Sequence, residues 1–221
     1  MLREEAIWFG DRLRHILSGN ASPVLNIGSS TRHFRSIEQP QIDQFIFSVL
    51  ENREIRVIHL DQKNAEGVDI IGDLSDPDFL EQVKQLKCRT IFCNNLLMHL
   101  EEQDRLNLVN VISEILPSKG LLYLSTSFNF PYTPDPYDSY YRPDPDNLIS
   151  LFKGFKTIDK KIVSGSGSFF RSVTKNPRFG LIILTRIFTP FYKFRTWKYL
   201  IQYLPNSFKN YSASCVILQK D

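Results

Sequence analysis

The sequence predicts an α/β fold in which short buried strands alternate with amphipathic helices. Apolar runs of strand length occur at residues 24–27, 55–60 and 90–93. Between the first two, apolar residues at 42, 45, 46, 49 and 50 recur with helical periodicity. The chain has 221 residues, of which 42% are hydrophobic, and this suits one domain with a sizeable core. Strands that alternate with helices favour a parallel sheet.

The first strand ends abruptly in a glycine, in the run Val-Leu-Asn-Ile-Gly-Ser-Ser-Thr-Arg at 24–32. Gly28 permits a turn that a side chain would obstruct. A strand, a tight glycine turn and a helix hold nucleotide-like ligands at the carboxyl end of α/β sheets. A purely structural turn explains the same residues, because the Gly-x-Gly-x-x-Gly fingerprint is absent.

Acidic residues follow the next two predicted strands. The strand at 55–61 ends in Asp61, where α/β folds accept hydrogen bonds from a ribose, although a loop cap would also use an acid here. A third strand is predicted at 68–74, which would bring Asp73 and Leu74 beside the pocket. A helix is expected to begin at Pro77, because proline suits the first helical turn.

Further elements are predicted on both sides of these motifs. A lead-in helix within residues 1–20, at 2–17, would either cover a ligand or simply pack on the sheet. A fourth strand turns polar at Asn94, and a fifth is expected at 121–127. The helix between them would bury one apolar face, consisting of Leu106, Val109, Ile112 and Ile115.

Together these segments resemble the class I S-adenosylmethionine-dependent methyltransferases over about residues 24–127, with a final strand at 211–219. The resemblance implies a doubly wound, seven-stranded, mostly parallel sheet of Rossmann-like methyltransferase type. It also implies S-adenosylmethionine as the cofactor. Two departures are an Asn at position 26, where the family usually has an acid, and non-glycine residues at Ser30 and Arg32. The implied cofactor-binding residues are Asn26, Gly28, Ser29, Ser30, Asp61, Asp73, Leu74 and Asn94.

The segment at 127–145, rich in Pro, Tyr and Asp, is expected to form a stiff loop beside the acceptor. It resembles a loop of methyltransferases found near bacterial surface-glycan genes, which implies O-methylation of a sugar or glycolipid. Tyr132, Tyr137 and Arg142 are then candidate substrate-binding residues, although Arg142 would equally hold the loop by pairing with an acid. A hydroxyl acceptor needs a general base. The candidates are Asp135, Asp138 and His99, each of which also has a plausible structural role.

A sixth strand is predicted at 155–163, followed by an insertion at 164–210 that begins with a flexible Ser-Gly run at 164–168. Basic and aromatic residues alternate through 178–203. This pattern fits a helical lid packed on its own domain, a membrane-surface segment, a nucleic-acid contact or a dimer surface.

Charge and composition narrow the function classes. Eleven of the 27 Lys and Arg residues lie within 160–220, which contains no Asp or Glu, so residues 1–159 carry a net charge of −7. An acidic body makes a nucleic-acid methyltransferase the weaker alternative. No run of 18 apolar residues occurs and the first residues lack a signal core, so we expect a cytoplasmic protein, with membrane association through 178–203 as an option.

The three cysteines lack metal-ligand spacing, so buried thiols and no metal site are predicted. The leading function is a methyltransferase that acts on a small-molecule or lipid-linked glycan. The main alternative is a binding or scaffold protein that kept the fold and lost the activity.

Overall fold

The computed structural model describes residues 1–16, 23–133 and 137–221. The strands are β1 (Val24–Ile27), β2 (Val57–Asp61), β3 (Ile70–Ile71), β4 (Thr90–Asn94), β5 (Leu121–Asn129), β6 (Phe155–Ser168) and β7 (Asn210–Lys220). The α-helices are α1 (Arg3–Ile16), α2 (Pro40–Ile42), α3 (Ser48–Glu51), α4 (Pro77–Gln85), α5 (Glu102–Ile115), α6 (Pro145–Ser150), α7 (Phe169–Lys175), α8 (Pro177–Ile187) and α9 (Phe194–Tyr203).

The seven strands form one sheet in the order β3-β2-β1-β4-β5-β7-β6, which confirms the predicted seven-stranded, mostly parallel sheet. The first five strands in this order are parallel, and β7 runs antiparallel to both β5 and β6. Strand order reverses at β1, whose two neighbours are β2 and β4. In open α/β sheets such a switch point is where ligands bind, outside the carboxyl ends of the strands.

Helices cover both faces of the sheet, so it is doubly wound. Side chains alternate between the faces along each strand, with Leu25 and Ile27 on one face and Val24 on the other. Helices α4, α5 and α6 pack on the first face, and α1, α2 and α3 pack on the second. The lead-in helix ends at Ile16, and residues 17–20 of the predicted span lie outside the described residues.

The helix indicated by the apolar residues at 42–50 begins earlier than this pattern and is irregular. It is preceded by the π-helical segment Phe34–Glu38, and a second π-helical segment, Asp43–Phe47, separates α2 from α3. Gln39 interrupts the helix with φ −129° and ψ 64°, because the following Pro40 disfavours helical geometry at the residue before it.

Three other sequence predictions need correction. The third strand is only two residues long. In α5 the side chain of Leu106 is exposed, and Leu108 takes the buried position. Residues 164–168, predicted to be flexible, continue β6 because Ser164 pairs with Ser212 and Ser168 with Asn210 of β7.

The insertion therefore starts after Ser168 and occupies 169–209. Its helices α7, α8 and α9 surround a small core of their own, in which Phe169, Leu200 and Tyr203 are buried. Because β6 runs parallel to β5, it ends at the carboxyl edge of the sheet, and β7 starts there. The insertion is therefore attached at the same edge as the switch point.

Candidate functional site

A cavity of about 1380 Å³ opens at the carboxyl ends of β1, β2 and β4. It is lined by every residue predicted to bind the cofactor and by one of the candidate bases. These residues are Asn26, Gly28, Ser29, Ser30, Asp61, Asp73, Leu74, Asn94 and His99. The topology thus brings together motifs that are spread over more than a third of the chain.

The turn after β1 has left-handed backbone at two positions. Gly28 has φ +68°, and a Cβ there would lie 3.1 Å from the Leu96 side chain. Ser30 has φ +54°. Its amide N donates a 2.7 Å hydrogen bond to Asp61 Oδ2, so the turn is fixed to the end of β2.

Asp61 also accepts a 3.0 Å hydrogen bond from the amide of Lys63 through Oδ1. Each carboxylate oxygen has two acceptor positions. After these two bonds, Asp61 therefore retains the capacity to accept two hydroxyl donors on the cavity side.

Arg35 holds the carbonyl side of the same turn, and sequence reasoning missed it. Its guanidinium is buried and donates through Nη1 to the carbonyls of Ser29 (2.9 Å) and Ser30 (2.7 Å), and through Nη2 to Gly67 O (2.7 Å). Burial lowers the pKa of Arg35. A guanidinium remains charged in proteins nonetheless, so this clamp is permanent. A contact to backbone carbonyls leaves no sequence motif that could have revealed it.

Asn26 stands where an acid was expected from the resemblance, and its partner is His59 on β2. Asn26 Nδ2 and His59 Nδ1 are 3.1 Å apart. An amide nitrogen only donates, so Nδ1 is the acceptor and the ring carries its proton on Nε2. Burial, with a further contribution from Arg35, lowers the pKa of His59 to about 4. This neutral pair replaces a charge at the end of β1.

Asp73 and Leu74 follow the short β3. Asp73 is exposed and its Oδ1 accepts a 2.8 Å hydrogen bond from the amide of Ser75, while Leu74 is buried. Asp73 therefore provides a hydrogen-bonding carboxylate, and Leu74 provides an apolar surface beside it.

His99 lies in the 3₁₀ turn Leu97–His99 that follows β4. Its Nδ1 is 2.6 Å from the carbonyl oxygen of Tyr137. A carbonyl only accepts, so Nδ1 carries the proton, and in the neutral ring Nε2 is then free of hydrogen and able to accept one. The ring is therefore oriented as an acceptor at the cavity wall.

Glu5 is a second cavity residue that the sequence analysis missed. It projects from α1, is only 1% exposed, and lines the cavity. Its carboxylate accepts hydrogen bonds from Asn95 Nδ2 (3.0 Å), Ser125 Oγ (2.6 Å) and the amide of Leu2 (3.0 Å). Within the described ranges no Lys or Arg side chain forms an ion pair with it. The amphipathic pattern of the sequence predicted helix α1 but gave no sign that Glu5 faces the cavity.

Asp138, one of the three candidate general bases, has the structural role that was its alternative. Asp138 is completely buried, and all of its acceptor positions serve the loop. Oδ2 accepts from Arg142 Nη2 (2.6 Å) and the amide of Thr133 (2.9 Å). Oδ1 accepts from the amide of Tyr140 (2.7 Å) and Arg142 Nη1 (3.1 Å).

Arg142 is likewise a loop residue rather than a substrate contact. Besides Asp138, it donates to the carbonyls of Phe130, Pro131 and Tyr141, and its side chain is 9% exposed. The alternative given for Arg142 above, pairing with an acid, is therefore the one observed. Asp135 lies outside the described residues.

The two candidate substrate-binding tyrosines contact the insertion. Tyr132 stacks on Tyr199 of α9 with ring centroids 4.9 Å apart. Tyr140, which has φ +61°, stacks on the same ring at 4.5 Å. The Tyr137 hydroxyl contacts Glu101 and accepts a 2.6 Å hydrogen bond from Arg195. Neither Tyr132 nor Tyr137 lines the cavity itself.

No protein-family model matches the chain, and no curated protein matches it. Solved structures do. Coclaurine N-methyltransferase bound to N-methylheliamine and SAH superimposes with a TM-score of 0.56 at 15% identity, over 97% of this chain and 70% of that one. A SAM-dependent methyltransferase from Anabaena variabilis gives 0.57 at 11% identity, over 99% and 84%. The [4+2]-cyclase SpnF gives 0.50 at 14% identity, over 96% and 80%.

These likenesses show that the chain has the fold of the SAM-dependent methyltransferases. At such identities they concern the fold alone, and the cyclase shows that proteins of this shape differ in chemistry. Function must therefore be argued from the site.

Proposed function

We propose that this protein is an S-adenosylmethionine-dependent methyltransferase that methylates a hydroxyl of a sugar or glycolipid. The observation that carries the proposal is the bond between the Ser30 amide and Asp61 beside Gly28, at the switch point of the sheet and in a cavity of about 1380 Å³.

The residues around the cavity fit this cofactor. Asp61 has acceptor positions for the two ribose hydroxyls. Asp73 and Leu74 combine a polar and an apolar contact suited to an adenine. Gly28 lines the cavity, and a Cβ there would press on the side chain of Leu96 at 3.1 Å. The bound cofactor would supply an activated methyl group, so the protein is required mainly to align the acceptor and exclude water.

A hydroxyl acceptor is a weak nucleophile and must lose its proton. His99 is the favoured proton acceptor, because its Nδ1–H is committed to Tyr137 O and its Nε2 is left as the basic atom. Nε2 would take the proton of the acceptor hydroxyl, while the bound cofactor would supply the methyl group by cleavage of its S–C bond and leave as S-adenosylhomocysteine. A sugar or glycolipid acceptor is supported by the resemblance of the loop at 127–145 and by the exposed apolar surface of the insertion.

Calorimetric titration with S-adenosylmethionine and S-adenosylhomocysteine tests the cofactor assignment. The wild type should bind both, and Asp61→Ala should weaken binding by roughly 1–3 kcal/mol through the loss of ribose hydrogen bonds. Asp11→Ala is the matched control, since Asp11 lies on the outside of α1 and pairs with Arg14. Equal affinity of Asp61→Ala and the wild type would refute the ribose role.

Transfer of a radiolabelled methyl group to lipid-linked glycan extracts, compared with RNA, then tests the acceptor. His99→Gln should lower the turnover at least tenfold while leaving cofactor affinity unchanged. Label found only in RNA would favour the nucleic-acid alternative.

A second candidate function is a methyltransferase-fold protein that performs no methyl transfer. The neutral Asn26–His59 pair and the non-glycine Ser30 favour it, as does the similarity to a cyclase. Cofactor binding without transfer to any acceptor class would support this candidate.

A further inference from the structure

Helix α8 has two apolar faces, of which only one is packed. Phe179, Ile183 and Ile187, spaced four residues apart, contact the small core of the insertion. Leu181, Ile182 and Leu184 point away from it and are 62%, 60% and 54% exposed. No residue of α8 is buried. A helix that merely closed over its own domain would not place aliphatic side chains on its outer face.

The exposed apolar surface continues beyond the helix. Phe188 is 77% exposed, Phe191 is 98% exposed, and Tyr192 and Phe194 are also exposed. Exposed apolar side chains concentrated in one segment in this way mark an interaction site.

The charged residues of the insertion around these apolar side chains are all basic. Residues 169–209 contain eight Lys and Arg residues and no Asp or Glu. Those with exposed side chains are Arg171, Lys175, Arg178, Lys193, Arg195, Lys198 and Lys209. Protruding aliphatic and aromatic side chains flanked by cations are typical of segments that lie in the interface of an anionic bilayer.

We propose that α8 and residues 188–194 dock on the surface of an anionic membrane. The apolar side chains enter the boundary between headgroups and acyl chains, and the basic side chains contact lipid phosphates. With 11 residues, α8 is about 16 Å long, so it lies in the membrane plane. Among residues 1–16, 23–133 and 137–221, no helix is long and apolar enough to cross a bilayer.

Vesicle co-sedimentation tests this docking without any cofactor. The vesicles are phosphatidylcholine alone, or equal parts of phosphatidylcholine and phosphatidylglycerol. The wild type should sediment with the anionic vesicles, bind less as salt rises, and bind neutral vesicles at least tenfold more weakly.

The double substitution of Leu181→Asp and Phe188→Asp should lower binding to anionic vesicles at least tenfold. Ile37→Asp is the matched control, because Ile37 is 66% exposed on a different part of the molecule, and it should bind like the wild type. Wild-type binding by the double variant, or no binding by the wild type, would overturn the proposal. So would a wild-type dimer in light scattering that the double substitution converts to a monomer.

A second inference comes from Glu5 and rests on the proposed function. With the Asn94 amide as oriented, both Glu5 Oε1 and Asn94 Oδ1 lie within 2.9 Å of Ser125 Oγ. A hydroxyl has one proton, so one of these two acceptors lacks it. Acceptors are thus in excess at this wall of the cavity, and the Glu5 charge also acts on the Met1 ammonium, whose charged form it favours.

Asn26, Asn94 and Ser125 lie on the sheet face that α1 covers, as the alternation along β1, β4 and β5 requires. Glu5 therefore supplies a negative charge on the face where Asn26 has none. We infer that Glu5 binds the amino group at the methionine end of the cofactor.

Calorimetry with S-adenosylhomocysteine and with its analogue that lacks the α-amino group tests this role. Glu5→Gln should weaken S-adenosylhomocysteine at least tenfold and leave the affinity for the desamino analogue unchanged. Glu4→Gln, the same charge change one residue earlier in α1, is the control. Should Glu5→Gln not fold, Glu5→Asp retracts the carboxylate and should show the same selective loss.

Equal effects of Glu5→Gln on both ligands, or no effect on either, would refute the inference while leaving the proposed function intact. Failure of the wild type to bind S-adenosylhomocysteine at all would overturn both.

Discussion

The backbone amide of Ser30 donates a 2.7 Å hydrogen bond to Asp61 Oδ2, across 31 residues of sequence. The bond requires the left-handed conformation of Ser30, at φ +54°. The same residue therefore anchors the end of β2 and stores backbone strain, because left-handed geometry disfavours residues with a Cβ by about 1–2 kcal/mol.

Ser30→Gly should stabilise the protein by about 0.5–1 kcal/mol. Glycine removes the strain, while its larger entropy loss on folding offsets part of the gain. Urea denaturation measures the change. Ser29→Gly is the control and should not stabilise, because Ser29 has no positive φ. A loss of stability in Ser30→Gly would show that the Ser30 side chain matters more than its backbone.

Arg35→Ala should destabilise the protein by about 3 kcal/mol. It leaves the buried carbonyl of Ser29 and the part-buried carbonyls of Ser30 and Gly67 without their charged donor. Arg32→Ala, from the same turn, should change stability by less than about 0.5 kcal/mol, since Arg32 is exposed and its pair with Glu66 spans 3.8 Å. Comparable losses of stability in Arg35→Ala and Arg32→Ala would contradict the role of Arg35 in holding the turn.

Stability should fall between pH 6.5 and about pH 4 because of His59. Its pKa in the folded protein is about 4, below the usual 6.5, so the unfolded chain binds more protons in this window. The contribution of neutral His59 to the free energy of unfolding is fully present above pH 6.5. About 2–3 kcal/mol of it is lost as the pH falls towards 4. Denaturation at several pH values measures it, and His59→Gln should flatten this part of the profile.

Asn26→Asp should shift the pKa of His59 in the opposite direction to burial. A carboxylate beside Nδ1 favours the protonated ring and so raises this pKa. NMR titration of the ring follows this directly. An unchanged His59 pKa in Asn26→Asp would mean that the two side chains are not in contact in solution.

Asp138→Asn should destabilise the protein by about 3–5 kcal/mol, because it leaves the buried Arg142 unpaired. Asp146→Asn is the control, as its pair with Lys160 is exposed and should be worth less than about 1 kcal/mol. A variant Asp138→Asn with wild-type stability and a lost turnover would restore Asp138 as a base.

The sequence allowed correct prediction of features that depend on local pattern. Strand β2 and the residue at its end follow from a short apolar run, and the parallel sheet follows from its alternation with helices. The burial of Cys88, Cys93 and Cys215 was also predicted correctly, and burial raises the pKa of Cys88 to about 11 and that of Cys93 to about 12.

Features that depend on distant partners were not predictable. Glu5 is recognisable only once α1 lies against Asn95 and Ser125, which are 90 and 120 residues away. The Ser-Gly composition of 164–168 suggested a linker, but ladder bonds to β7 decide its conformation. Asp138 and Arg142 were rightly placed in one loop, yet only burial and hydrogen bonding distinguish an ion pair from a general base and a substrate contact.

Tyr199 links the loop after β5 to the insertion. Its ring stacks on both Tyr132 and Tyr140 of the loop, and it belongs to α9, which packs with α8. Thermodynamic reciprocity requires that any free energy the loop gains from an ordered α9 is returned equally to α9 by an ordered loop. A partner that binds the outer surface of the insertion and orders α9 therefore also favours the ordered loop. A ligand that orders the loop beside the cavity in turn favours binding of that partner.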